Sequence, residues 1–462
     1  MDGRRTSGGD RNDVSGVPVR GHDGVVGRPG SAELERRLGT GDAVVVGLGA
    51  MVGAGVFAVL APAAQAAGSL LLAGLVVAGV VATCNGMSSA ALAAVHPESG
   101  GTYVYGRLQL GPGWGALAGF GFVVGKTASC AAMALTVGTY AAPSAARPVA
   151  LAAVVTLAVA NLRGIASTAR LARVLLAGVL GVLLLVVVAA LLAGHPDPAA
   201  LAAPEAVGVR DVLQSAGLLF FAFAGYARIA TLGGEVREPA RTIPRAVRLA
   251  LAAALLVYLS VSVSALLAVG APALARSSAP LSTVVEATAW AAAEPVVRAG
   301  GAVAAIGVLL SLLAGVSRTV WAMSRESDLP RRLDAVSART SVPYRAELAV
   351  AGVVVVLVLV VDLRAAIGFS SFAVLGYYAV TNAAALTLRP EQRRLPRSVP
   401  VVGLVGCVVL ALTLPVSSVA AGSAVLALGA LPHGVRRLRG RRGPALQVQD
   451  GASDEPSGTP RA

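Results

Sequence analysis

The chain has 462 residues, of which 56% are hydrophobic and only 13% charged, too few charges for a soluble globular protein of that length. Its net charge is +14, which raises nucleic acid as a partner, and its three cysteines raise a disulfide or metal framework. Neither is expected: the arginines sort by side of a membrane, as shown below, and Cys84, Cys130 and Cys407 fall inside apolar runs at unrelated spacings, where they read as small buried hydrophobes.

In chain order, residues 1–38 are rich in Gly, Arg and Asp and have no apolar run, so a disordered tail is expected and a signal peptide is not. Within that tail "SAELERRLG" (31–39) fits a short surface helix capped by Ser31. Twelve spans follow, at about 42–66, 69–94, 114–141, 147–162, 171–193, 212–235, 246–270, 298–324, 346–361, 365–388, 399–414 and 416–432. Spans 11 and 12 are separated by little more than Pro415. The runs are continuous rather than alternating, which excludes a β-barrel. The expected architecture is an all-α polytopic membrane domain over residues 39–435, followed by a basic, disordered tail at 436–462.

Orientation follows from charge. Of 38 basic residues, five fall in loops on one side (Arg147, Arg210, Arg276, Arg298 and Arg364) and three inside spans (Lys126, Arg228 and Arg318). The other 30 lie on the side of the N-terminus. The positive-inside rule then places both termini in the cytoplasm of a cell-membrane protein, and the +14 becomes an inner-leaflet charge with no nucleic-acid partner.

Two spans are weakened at their centres. Span 1, "GDAVVVGLGAMVGAGVFAVLAP", carries Gly47, Gly49, Gly53 and Gly55; span 6, "LLFFAFAGYARIATLGGEV", carries Gly225 next to Ala224. Glycine permits unwound backbone, and it also permits close helix–helix packing in a membrane. The breaks lie five spans apart, the pattern of two inverted repeats, about 42–193 and 212–388, with extra helices at 399–432. A half-helix N-terminus suits a carboxylate and exposed carbonyls suit an ammonium, so a site with both suits an amino acid.

Four motifs carry a resemblance over about residues 34–435: "GAMVGAGVF" (49–57), "PESGGTYVYGRLQLGPGWG" (97–115), "FFAFAGYARIATLGGEVREPARTIPRA" (220–246) and "SRTVWAMSRESDLPRRL" (317–333). Together they resemble the amino acid–polyamine–organocation permeases, in particular their bacterial amino acid permease branch. The resemblance implies a LeuT-like fold of 5+5 inverted repeats plus two helices. It implies that the substrate carboxylate meets backbone N–H groups around Gly53, Ala54 and Gly55. The ammonium would meet carbonyls near Met51, Phe221 and Ala224, beside Gly225, and Phe223 or a nearby aromatic would help close an outer gate.

Charges inside spans are functional candidates by default. Lys126 is the only lysine in the chain, twelve residues from Trp114 and fourteen from Tyr140, which is about 18–21 Å from either interface aromatic. Its head must therefore face a cavity or protein carbonyls. Proton-coupled relatives are thought to use a lysine on helix 5; here that helix has no titratable group past Arg173. No span is expected to hold a carboxylate at mid-depth, since Asp42 and Glu235 sit at span ends. Lys126 is thus either the proton-coupling group or a permanent cation tying helix 3 to the carbonyls of a broken helix. Arg228 is either a half-helix partner or a substrate contact. Glu98 and Glu235 are expected at the gates, and Arg318 is expected to be structural.

The expected function is secondary active transport of amino acids by alternating access, with proton-coupled uptake. The alternative is an exchanger, or a permease for another organic amine. The cations favour neutral, small or acidic amino acids over basic ones. An enzyme would need paired reactive groups inside the membrane, and His22, His96, His195 and His433 all lie at or beyond span ends. A channel would need a continuous pore, which two mid-membrane breaks do not suit. No cofactor and no metal are implied; the expected partners are substrate, proton and lipid.

Overall fold

A backbone group in hydrocarbon must find its hydrogen-bond partner within its own segment, and the described residues meet this requirement with helices. The computed structural model describes residues 38–53, 55–96, 100–164, 169–202, 206–232 and 235–440. The expectations for the N-terminal tail with its Ser31 helix, for Glu98 and for residues 441–462 fall outside these. The only strand-like pairing among the described residues is one parallel bridge, Leu38 with Val236.

The first broken span is α1 (Thr40–Val52) and α2 (Gly55–Ala67), followed by α3 (Leu71–Val95) and a short helix, α4 (Thr102–Leu110). Then come α5 (Pro112–Ala141), α6 (Ala146–Leu162) and α7 (Ala169–Leu192). The second broken span is α8 (Val209–Phe223), a 3-10 turn at Ala224–Tyr226 and α9 (Ala227–Ala230). After it run α10 (Pro239–Arg276), α11 (Pro280–Glu286), α12 (Glu294–Arg325), α13 (Tyr344–Val360), α14 (Leu363–Leu386), α15 (Ser398–Thr413) and α16 (Val416–Gly440).

By length and composition, eight helical stretches among the described residues are able to cross a membrane, or nine with α15 and the start of α16 taken as one bent span. One stretch, Gly55–Val95, has 41 residues. Straight, it would measure about 60 Å, twice the hydrocarbon thickness. Ala67 (φ −133°, ψ 9°) and Gly68 (φ 55°) divide it into α2 and α3. The 116° bend between α15 and α16 falls at Leu414 and Pro415, where the proline lacks an N–H to continue the helix.

α5 is the centre of the bundle. It packs against α12, α14, α4, α6, α13 and α16, and from Gly125 to Gly138 every one of its residues is buried. Small residues set these distances. A Cβ on Gly138 would strike the carbonyl oxygen of Ala146, whereas one on Gly178 of α7 would meet nothing within 4 Å.

At the bundle end where α1 begins, α4 is latched to the segment after α12. Tyr103 OH and Arg107 Nη1 each donate to Asp328 Oδ2 at 2.7 Å. Burial, and then the Asp328 acceptor, push the Tyr103 phenol above its ordinary pKa.

Gly138→Ala is expected to cost about 1–3 kcal/mol by overpacking a backbone contact. Gly178→Ala is expected to stay within about 0.5 kcal/mol of the parent. Thermal unfolding of the two purified variants in detergent checks the contrast.

Candidate functional site

Both breaks form where the glycines sit. α1 stops at Val52, Gly53 caps it, and Gly55 opens α2; Ala54, between them, lies outside the described residues. α8 stops at Phe223, and Gly225 sits inside the 3-10 turn that follows. The two broken helices begin alike. Asp42 Oδ2 accepts from Gly39 N at 3.2 Å, and Asp211 Oδ2 accepts from Gly208 N at 3.0 Å. Each cap gives an orphan N–H a charged partner at a positive helix end.

The breaks touch each other. A Cβ on Gly225 would enter the Ala50 carbonyl and reach Met51 N at 2.7 Å; one on Gly55 would lie 2.7 Å from Ala222 Cα. Met51, Gly55 and Gly225 therefore lie at the crossing of the breaks, and Ala224 precedes Gly225 in the turn. The glycines serve backbone-to-backbone packing at this point, the second of the two uses that their pattern allows. Phe221 is half-buried. Phe223 is fully buried, and its ring meets Tyr258 edge-on at 5.1 Å.

One side of the breaks is sealed. Phe57 and Tyr140 stack edge to face at 5.5 Å, and Tyr140 OH donates to Phe57 O at 3.2 Å. The other side opens between α1 and α12. Those helices meet where a Cβ on Gly53 would lie 2.5 Å from Val308 Cγ2. One turn away along α1, Gly49 would meet nothing within 4 Å, and neither would Gly315, two turns along α12. The helices therefore splay toward the end where α1 begins. Arg228 and Arg318 are exposed although Tyr226, Ile229 and Val316 beside them are buried. Arg228 interacts electrostatically with Glu235 and Arg318. Glu235 also gives its backbone carbonyl to Leu38 N at 3.0 Å, which ties the loop after α9 to the start of α1.

Lys126 faces a carbonyl, as its depth requires. It is 8% exposed, and its Nζ donates to Ala224 O at 3.4 Å, a long hydrogen bond. A cation at the C-terminal end of α8 also complements that helix's dipole. The carbonyl it touches is one of those expected to receive a substrate ammonium.

One expectation needs correction. Glu347 is a buried carboxylate well inside the bundle, 1% exposed. Asn161 Nδ2 donates to Glu347 Oε1 at 2.9 Å and to Leu310 O at 3.3 Å. α5 and α12 run antiparallel, with Gly119 against Met323 and Tyr140 against Gly301, which brings Leu310 level with Ala131 and Ala132. Glu347 thus lies near the level of Cys130, with which it interacts electrostatically, about one helical turn beyond Lys126. In the sequence it is the second residue of its span and reads as an interface group. Its depth appears only when α13 is placed against its neighbours.

Two glycine-interrupted helices thus cross at their breaks inside a bundle of membrane-length helices. The amino acid permease family profile matches residues 38–429. The chain belongs to the amino acid permease family. An uncharacterised transporter of Mycobacterium tuberculosis (strain ATCC 25618 / H37Rv) is 59% identical over 430 residues, covering 93% of this chain and 97% of its own. A branched-chain amino acid permease of Bacillus subtilis (strain 168) is 25% identical, covering 81% and 86%. Cationic amino acid transporter 4 of Homo sapiens is 28% identical, covering 79% and 61%. The chain is accordingly a multi-pass membrane transporter.

If the α1–α12 cleft holds water, cysteines at Gly49 and Gly315 will react with a small maleimide in the folded protein, on a background in which the half-buried Cys84 is replaced by serine. A cysteine at the buried Phe57 position will not. Labelling rates followed by mass spectrometry check this.

Proposed function

We propose that this permease is a secondary active transporter that takes up amino acids across the cell membrane by alternating access, in a LeuT-like arrangement of two inverted five-helix repeats plus two helices. The observation that carries the reading is the crossing of the two breaks, Gly225 on Ala50–Met51 and Gly55 on Ala222. Unwound backbone inside a bundle is tolerated where it lines a cavity, and paired breaks in corresponding positions mark a substrate site. The matching Gly–Asp caps of α1 and α8 support the repeat. Twelve spans follow if each broken helix counts once and α15 and α16 count separately. The arginine distribution supports cytoplasmic termini, so the open cleft faces the cytoplasm and the Phe57–Tyr140 seal faces out.

In this reading the substrate's carboxylate meets N–H groups at Gly53–Gly55, and its ammonium meets carbonyls near Met51, Phe221 and Ala224. Phe223 belongs to the gate. Arg228 and Glu235 lie on the inner route. The cleft's cations exceed its acids, so neutral or acidic amino acids are preferred to basic ones. No catalytic chemistry is assigned.

Lys126 is proposed as the proton-coupling group. It shares the Ala224 carbonyl with the expected position of the substrate ammonium, so the charge on one is felt by the other. A group that titrates and contacts a mobile break biases a two-state equilibrium that substrate also biases. The second reading, exchange without proton coupling, is favoured by the same hydrogen bond, which also suits a permanently charged ammonium.

Uptake of labelled amino acids into proteoliposomes, with and without a pH gradient, separates the two. Lys126→Ala is expected to uncouple accumulation from the gradient while retaining some exchange, and Lys126→Arg to be inactive. Full pH-dependent accumulation by Lys126→Arg makes the lysine a structural cation. Gly55→Leu is expected to abolish substrate binding; because its side chain also enters Ala222, the binding measurement is paired with a thermal unfolding scan.

A further inference from the structure

The carboxylate of Glu347 has no role in the site described above. It is nearly inaccessible, and it is held in place by an amide that also grips the backbone of α12. Asn161 spends both of its N–H groups there, joining α6, α12 and α13 at one point. An acid in such a place is costly unless it is protonated or balanced by a cation.

The helices packed against α13 show which cation is available. From α5 come Lys126, Cys130 and, at its far end, Tyr140. From α12, Arg318 and Arg325 are exposed, and Arg298 is engaged with Glu294 and Tyr140 O. Arg147 and Arg163 at the ends of α6 are exposed, as are Arg331 and Arg332 before α13 and Arg345 on α13 itself. Lys126 is the one buried cation among these described groups. Cys130 of α5 interacts electrostatically with both Glu347 and Lys126.

We propose that Glu347 is a second proton-carrying residue of the transporter, paired with Lys126 across α5. In one cycle the Lys126 ammonium releases its proton to one side and the Glu347 carboxylate takes a proton from the other, leaving an amine and a carboxylic acid. Transfer of that proton from the acid to the amine restores the ammonium and the carboxylate, and one proton has crossed. The two groups together carry no net charge in either of these resting arrangements. The two residues also sit on different contacts. Lys126 touches the α8 break, and Glu347 holds the junction of α6, α12 and α13. Moving the proton between them changes both contacts together, which links the breaks to the helices surrounding them. The inference rests on the proton-coupling reading of Lys126.

The test uses the full chain in proteoliposomes and compares the parent with Glu347→Gln, Glu347→Asp and Lys126→Ala. Two quantities are read: exchange of labelled amino acid without a gradient, and accumulation across a series of pH gradients. Glu347→Gln, which keeps an acceptor for Asn161 but cannot titrate, is expected to lower the ratio of accumulation to exchange by about tenfold or more and to flatten the pH profile. Glu347→Asp is expected to retain a pH response at a shifted position. A parental pH profile in Glu347→Gln overturns the proposal; if Lys126→Ala is still uncoupled, the lysine reading survives it. Exchange without any pH response in the parent overturns both. If Glu347→Gln does not fold, infrared difference spectra of the parent decide the matter. A protonated-carboxyl band that changes with pH and moves in Glu347→Asp supports the proposal, and no such band overturns it.

Discussion

Everything functional in this chain depends on two backbones meeting without side chains between them. Gly225 rests on Ala50 and Met51, and Gly55 rests on Ala222. Only glycine permits that approach, and it lets two helices that stop in mid-bundle brace each other. Each stop leaves N–H or C=O groups that the helix cannot satisfy. In hydrocarbon these would be prohibitive; at a crossing inside protein they can be met by neighbouring side chains. The long Lys126 bond to Ala224 O is one such group already in use.

The rest of the bundle holds the crossing in place and decides which side it opens to. Tyr140 does much of this on the sealed side. It stacks on Phe57 and hydrogen-bonds its carbonyl, packs on Gly301, and gives its own carbonyl to Arg298 Nε at 3.0 Å. On the open side α1 and α12 are in contact at Gly53 and Val308, and a Cβ on Gly49 or on Gly315 would meet nothing within 4 Å. The packing is therefore tight on one side of the breaks and open on the other. The bridge from Leu38 to Val236 joins the start of α1 to the loop after α9.

Charge placement follows the same economy. Lys126 and Glu347, the charged side chains buried among the described residues, each have a hydrogen-bonding partner. Lys126 sits at the C-terminus of α8, and Glu347 sits on the Asn161 amide. Arg228 lies beside Glu235 and Arg318, with which it interacts electrostatically.

Much of this was legible in the chain. Continuous apolar runs required membrane helices, because no other local structure satisfies their backbone. The clustered glycines of span 1 and Gly225 of span 6 marked the breaks, since a helix weakens where Cβ is missing. The depth of Lys126 followed from counting residues to Trp114 and Tyr140. Three things were decided only by tertiary structure. The glycines' free faces point at each other's backbone, which no linear pattern reveals. α1 and α12 meet at Gly53 and Val308 and leave Gly49 and Gly315 open, which depends on how the two helices are set against each other. Glu347, two residues into a span, reads as an interface charge. Its burial comes from the register of α5 against α12 and from Asn161, 186 residues away in the chain. Sequence periodicity reports which residues share a helix face; depth and partnership depend on how separate helices are set against one another, and that is fixed by packing.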